Sequence, residues 1–133
     1  MKNLCIALVL LLVGLSGCTT LQAGEGAAKP GVFCQVQQPP DPLLLGTWEC
    51  YFVRGAQSNY VRIVLVKYGD KYGLYENRVY GKKRISAWKD WIINGKEILG
   101  VPEKYGVRIF VQDHDVYFTI RGLEHPARMK RVH

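Results

Sequence analysis

A chain of 133 residues suits a single domain, and its 18 basic against 11 acidic side chains give a formal charge of +7, which favours anionic counterparts. The three histidines, His114, His125 and His133, are scattered, and no Cys-x-x-Cys-His, HExxH or Gly-x-Ser-x-Gly run occurs. Haem attachment, zinc-protease chemistry and a hydrolase nucleophile elbow are therefore without a motif here. Neither a cofactor nor enzymatic activity is expected.

The first element is a leader. Met1-Lys2-Asn3 is a short positive start, Leu4 to Val13 is uninterrupted apolar chain, and the small residues Gly14, Ser16 and Gly17 precede Cys18, which is the layout of a secretory signal peptide. An apolar run of this length is too short to span a bilayer as a helix, which takes about 20 residues. The segment Leu15-Ser16-Gly17-Cys18 resembles the lipobox of bacterial lipoproteins. That resemblance implies that residues 1–17 are a signal peptide cut before Cys18, and that the cysteine carries palmitate-type chains on sulfur and on the new amino group. More than one acyl chain makes a membrane anchor stable. Thr19, where the family commonly has a retention aspartate, implies an outer membrane lipoprotein facing the periplasm in a cell with two membranes. An ordinary signal with an incidental cysteine is the alternative. Nucleic acid is not an expected partner of an exported, membrane-tied chain, despite its charge.

Residues 18–44 follow as an expected tether, rich in Ala, Gly, Gln and Pro and without helical or strand periodicity. Cleavage discards Cys5 and acylation occupies Cys18, leaving Cys34 and Cys50 in an oxidising compartment. A disulfide between them is the expectation, and closing a loop of about fifteen residues would contribute roughly 3 kcal/mol. Two unpaired buried thiols are the alternative.

From residue 45 to 133 the pattern alternates. In "GTWECYF", Trp48, Cys50 and Phe52 share a face; in "VRIVLVK", Val61, Ile63 and Leu65; in "VRIFVQ", Val107, Ile109 and Val111. Turn signals fall at Gly69-Asp70, Gly81, Asn94-Gly95, Asp113-His114-Asp115 and Gly122, and Asn94-Gly95 suits the two central positions of a type I′ turn. About eight strands are expected, at 45–54, 59–68, 72–80, 84–93, 96–101, 106–112, 116–121 and 127–132. The fold class is all-β: a small antiparallel meander closed into a barrel, because closure removes exposed strand edges.

Leu44-Leu45-Gly46-Thr47-Trp48 resembles the Gly-x-Trp entry of lipocalin-like and fatty-acid-binding barrels. The resemblance implies that Trp48 lies across the barrel base under an arginine from a late strand, Arg121 or Arg131, and that the domain carries a small apolar or amphipathic ligand.

Two further groups are candidate sites. Four Tyr-Gly pairs, with Tyr75, Trp88 and Trp91, offer aromatic faces; Trp88, Trp91 and Tyr75 are the first ligand-binding candidates. The alternative is tyrosine covering the backbone that glycine leaves bare. "GKKR" supplies Lys82, Lys83 and Arg84, and "ARMKRVH" supplies Arg128, Lys130 and Arg131, as candidate contacts to an anionic surface or an envelope protein. A solvated turn and tail is the plain alternative. Asp113-His114-Asp115 reads as a solvated turn, so no metal site is expected. The leading functional expectation is a non-catalytic, membrane-anchored envelope lipoprotein that docks through its basic surface; the alternative is lipocalin-like ligand binding.

Overall fold

The computed structural model describes residues 29–133, so the expected signal peptide, residues 1–17, and Cys18 lie outside the described residues. The chain forms β1 (Gln35–Gln38), β2 (Gly46–Arg54), β3 (Gln57–Tyr68), β4 (Lys71–Tyr80), β5 (Lys83–Lys89), β6 (Trp91–Asn94), β7 (Glu97–Gly100), β8 (Arg108–Gln112), β9 (Asp115–Thr119), β10 (Ala127–Arg128) and β11 (Lys130–Val132). Single 3₁₀ turns sit at Pro42–Leu44 and Glu103–Tyr105. Among the described residues there is no α-helix, and none long and apolar enough to cross a membrane.

Alternation of apolar and polar residues places these strands as the sequence suggests, with two breaks. The span expected at 84–93 is interrupted at Asp90, and the span at 127–132 at Met129. Each break moves the chain from one sheet to another, since one sheet has the order β1-β6-β7-β8-β9-β10 and the other β11-β2-β3-β4-β5. Bends of this kind make the corners of packed sheets. The pairing is antiparallel throughout except where β1 joins β6 in parallel. The ladders therefore define two sheets, and among the described residues they do not themselves close into the barrel expected from the sequence.

The core lies between the sheets. Val61, Ile63 and Leu65 on β3, Ile93 on β6, Ile98 on β7, Ile109 on β8, and Val116 and Phe118 on β9 are all fully buried. Each such side chain contributes about 1.5–3 kcal/mol relative to exposure.

Three expectations need correction. The described part of the expected tether is packed onto the domain. Cys34 donates its N–H to the Tyr72 carbonyl at 2.8 Å, Asp41 donates to the Gly95 carbonyl at 2.9 Å, and Leu44 is fully buried. The expected disulfide is not formed: Cys34 and Cys50 are free, buried thiols. Register explains it, because Cys34 sits beside Tyr72 of β4, whereas Cys50 faces Val61 and, through it, Arg78 of β4. Tyr72 and Arg78 are about 20 Å apart at the strand rise, and a disulfide needs Cα atoms within about 7 Å. Finally, Asn94 ends β6 opposite Glu97, so the two-residue turn is Gly95-Lys96. Only Gly95 has positive φ (61°), as in a turn of type II′ and not I′. Asp113 and His114 form the β8–β9 turn, both with positive φ.

Candidate functional site

The space between the sheets has two ends. β2, β4, β7 and β9 run toward the same end, and β3, β5–β6, β8 and β10–β11 run back, so the loops 55–56, 81–82, 101–107 and 120–126 gather at one end, here the mouth. The loops 69–70, 95–96 and 113–114 gather at the other, the base.

The base is plugged. β11 pairs with β2 so that Arg131 lies opposite Trp48, and its guanidinium carbon sits 4.4 Å from the Trp48 ring centroid. Arg131 Nη1 donates to the Leu45 carbonyl and Nη2 to the Leu43 carbonyl, both at 3.0 Å. Gly46 is required beneath it: its φ is +101°, and a Cβ there would stand 2.8 Å from Arg131 Nη1. Of the two arginines offered by the sequence, Arg131 takes this position. Arg121 is exposed and belongs to a mouth loop, where its N–H meets the Tyr105 carbonyl.

Toward the mouth the inner faces change character. On β4, Leu74 is fully buried, but the next inward positions are Glu76, Arg78 and Tyr80; on β5 they are Lys83, Ile85, Ala87 and Lys89. With Arg54 at the end of β2, Glu76, Arg78, Tyr80, Lys83, Ile85 and Lys89 form one wall of a cleft of about 430 Å³. The facing wall is mostly apolar, with Trp91, Val101, Pro102, Tyr105, Val107 and Ile120. The cleft thus carries four cationic side chains and one carboxylate. Glu76 is only 3% exposed, and Arg78 donates to its Oε1 from both Nε and Nη2, the former at 2.8 Å. That pair is internally compensated. Arg54 lies 5.6 Å from the Tyr80 ring centroid, and among the described residues Arg54, Lys83 and Lys89 have no carboxylate partner.

The sequence candidates divide between these regions. Trp91 is buried and lines the cleft. Trp88 and Tyr75 face each other on the outer side of the sheet, with ring centroids 5.4 Å apart and nearly perpendicular. Tyr68 continues that cluster at 6.3 Å from Trp88, and Phe33 stands 6.3 Å from Tyr68. Trp88 and Tyr75 therefore do not join Trp91 in one site. Lys83 reaches the cleft, while Lys82 and Arg84 are exposed beside it. Arg128 is paired with Asp115 at 2.8 Å, Lys130 is exposed opposite Glu49, and Arg131 is half-buried over the Trp48 ring. Arg54, Glu76, Arg78 and Lys89 were not among the sequence candidates. Their signal is the two-residue parity with Leu74 and Trp91, which places charges on an inward face.

Burial shapes the titration of three further groups. It pushes the Cys34 thiol up to about 11, against a backbone hydrogen bond from Trp91, and the Cys50 thiol up to about 12, with Glu49 adding to the effect. Tyr60 is raised to about 12 by partial burial and by donating its hydroxyl to Glu49 at 2.9 Å. Among the described residues no three His, Cys, Asp or Glu side chains converge to hold a metal ion. What the cleft is equipped to do is hold a molecule with an anionic group and an apolar part. Charge-assisted hydrogen bonds from Arg and Lys serve the first, and the aromatic and aliphatic wall serves the second. Compared with known proteins, the chain matches no family model, no curated protein and no solved structure.

Proposed function

We propose that this chain is a non-enzymatic lipoprotein of the cell envelope, anchored in the outer membrane through acylated Cys18 and facing the periplasm, whose β domain binds a small anionic amphiphile. In this reading the two sheets are opposite walls of a flattened barrel, with strands bent at Asp90 and Met129 shared between them. The base is shut by Trp48 and Arg131, and the mouth receives the ligand. One observation carries the proposal: a cleft of about 430 Å³ in which Arg54, Lys83 and Lys89, without carboxylate partners among the described residues, face an apolar wall. Its volume falls within the about 300–1,000 Å³ of small-molecule sites.

The test is calorimetric titration of the mature chain, residues 18–133 with Cys18→Ser, using dodecyl phosphate and 1-dodecanol. Dodecyl phosphate is expected to bind one per chain and at least tenfold more tightly than the alcohol. Combining Arg54→Ala with Lys83→Ala is expected to weaken it about tenfold, the equivalent of one lost charge-assisted contact. Equal affinity for the two probes, or no heat from either, would overturn the reading.

A further inference from the structure

The mouth has a second property that the cleft alone does not require. Its loops expose Lys82 beside Arg84 on the β4–β5 hairpin, Lys104 on 101–107 and Arg121 on 120–126, while the acidic residues of those loops are Glu103 and Glu124 alone. Among these cations stand two large apolar side chains in the open, Val101 at 46% exposure and Tyr105 at 55%, with exposed Pro102 between them. Lys104 Nζ lies 5.1 Å from the Tyr105 ring centroid, so charge and ring are presented together. The base loops 69–70, 95–96 and 113–114 contain no exposed large hydrophobic residue and mix Asp70, Asp113 and Lys96.

We infer that the mouth loops dock on an anionic lipid bilayer, and that the molecule entering the cleft is an anionic membrane lipid taken from it; the second half of this inference rests on the ligand-binding reading above. Charge complementarity selects the bilayer. Lys and Arg are drawn to a leaflet carrying anionic headgroups, and their influence fades within a Debye length, so they act only at close approach. Tyrosine and short aliphatic side chains are suited to the next layer down, where a ring sits at headgroup level with its hydroxyl toward water. Long basic side chains lie along the apolar surface and return their charge to the phosphates. Lys83 and Arg54 then continue the same positive path from the rim into the cleft, so a headgroup moving inward does not leave a cationic environment.

The test is flotation of the mature chain, residues 18–133 with Cys18→Ser so that no acyl chain anchors it. The vesicles are equimolar phosphatidylglycerol and phosphatidylcholine, or phosphatidylcholine alone. The chain is expected to float with the anionic vesicles only. Val101→Asp combined with Tyr105→Asp should reduce the floated fraction at least fivefold, while Lys67→Glu with Lys96→Glu near the base should leave it within twofold; thermal melting confirms that each variant is folded. Flotation on both vesicle types, on neither, or equal loss from mouth and base substitutions would overturn the inference. Titration with dodecyl phosphate separates the two proposals. Intact titration without flotation removes bilayer docking and keeps the ligand site, whereas flotation without titration keeps the docking surface and removes the claim that lipid enters the cleft.

Discussion

The base and the mouth are made from the same strands, yet they obey different rules. Along the inner face of β4 the chain passes from Leu74, fully buried, through Glu76 and Arg78 to Tyr80, so the change from packed hydrocarbon to a charged cleft takes only a few residues. At the base an arginine is held by two carbonyl oxygens and an indole ring, with no carboxylate partner among the described residues. Near the mouth, Glu76 holds only Arg78, and the remaining cations are open to a ligand. The contrast teaches that packing and open space are separated along the strand axis: one end is filled, and the other is left with a charged cleft.

That separation is open to direct attack. The largest effect is expected for Phe118→Ala, which empties a fully buried site beside Phe52 at 5.1 Å and should cost about 3–5 kcal/mol in urea denaturation. Ile85→Ala, at the cleft and only partly buried, should cost under about 1 kcal/mol. Similar losses at both would erase the distinction. Next in size is Arg131→Ala, which removes two hydrogen bonds to carbonyls and the ring contact, and should cost roughly 2–3 kcal/mol. Arg121→Ala, on a mouth loop, is the matching control and should stay within about 0.5 kcal/mol.

The buried thiols supply a smaller, pH-dependent effect. Both bind their protons more tightly in the folded chain than at the ordinary value of 9.0. Their contribution is complete below pH 9 and is lost as pH rises from there toward about 11 for Cys34 and 12 for Cys50, with Tyr60 acting in the same direction above 10. The urea midpoint should therefore be steady up to pH 9 and fall by pH 10.5; a midpoint unchanged over that range would contradict the burial. The smallest effect on stability is expected for Arg54→Ala with Lys83→Ala, within about 0.5 kcal/mol, although the same pair is expected to weaken dodecyl phosphate binding.

Much of this architecture is legible in the sequence, for a physical reason: a strand with one buried face alternates, and a two-residue turn advertises itself with Gly. β2 to β4, β8 and β9 follow from that, with ends within two residues of those expected. β1 does not, because all four of its residues are exposed, it runs straight into Pro39-Pro40, and its partner β6 lies far along the chain. The breaks at Asp90 and Met129 are equally silent, since alternation continues through each bend while the sheet beneath it changes. The aromatic candidates show a different failure. Trp88 and Trp91 are separated by three positions, an odd number, and so occupy opposite faces; composition had grouped what parity divides. The charged cleft was readable by the same parity from Leu74 to Glu76 and Arg78, but charges near a strand end suggest solvent until the facing wall is known.

The contact that shuts the base joins Leu45 to Arg131, 86 residues apart in sequence. Loop-closure entropy makes such a contact late, after local hairpins have formed. Until it does, β2 has one unprotected border and Trp48 lacks its cover, which is a state prone to sticking to other chains. A folding assay that follows Trp48 burial should accordingly lag one that follows the β3–β4 hairpin, and the lag measures how long the newly made chain depends on being kept apart from its neighbours.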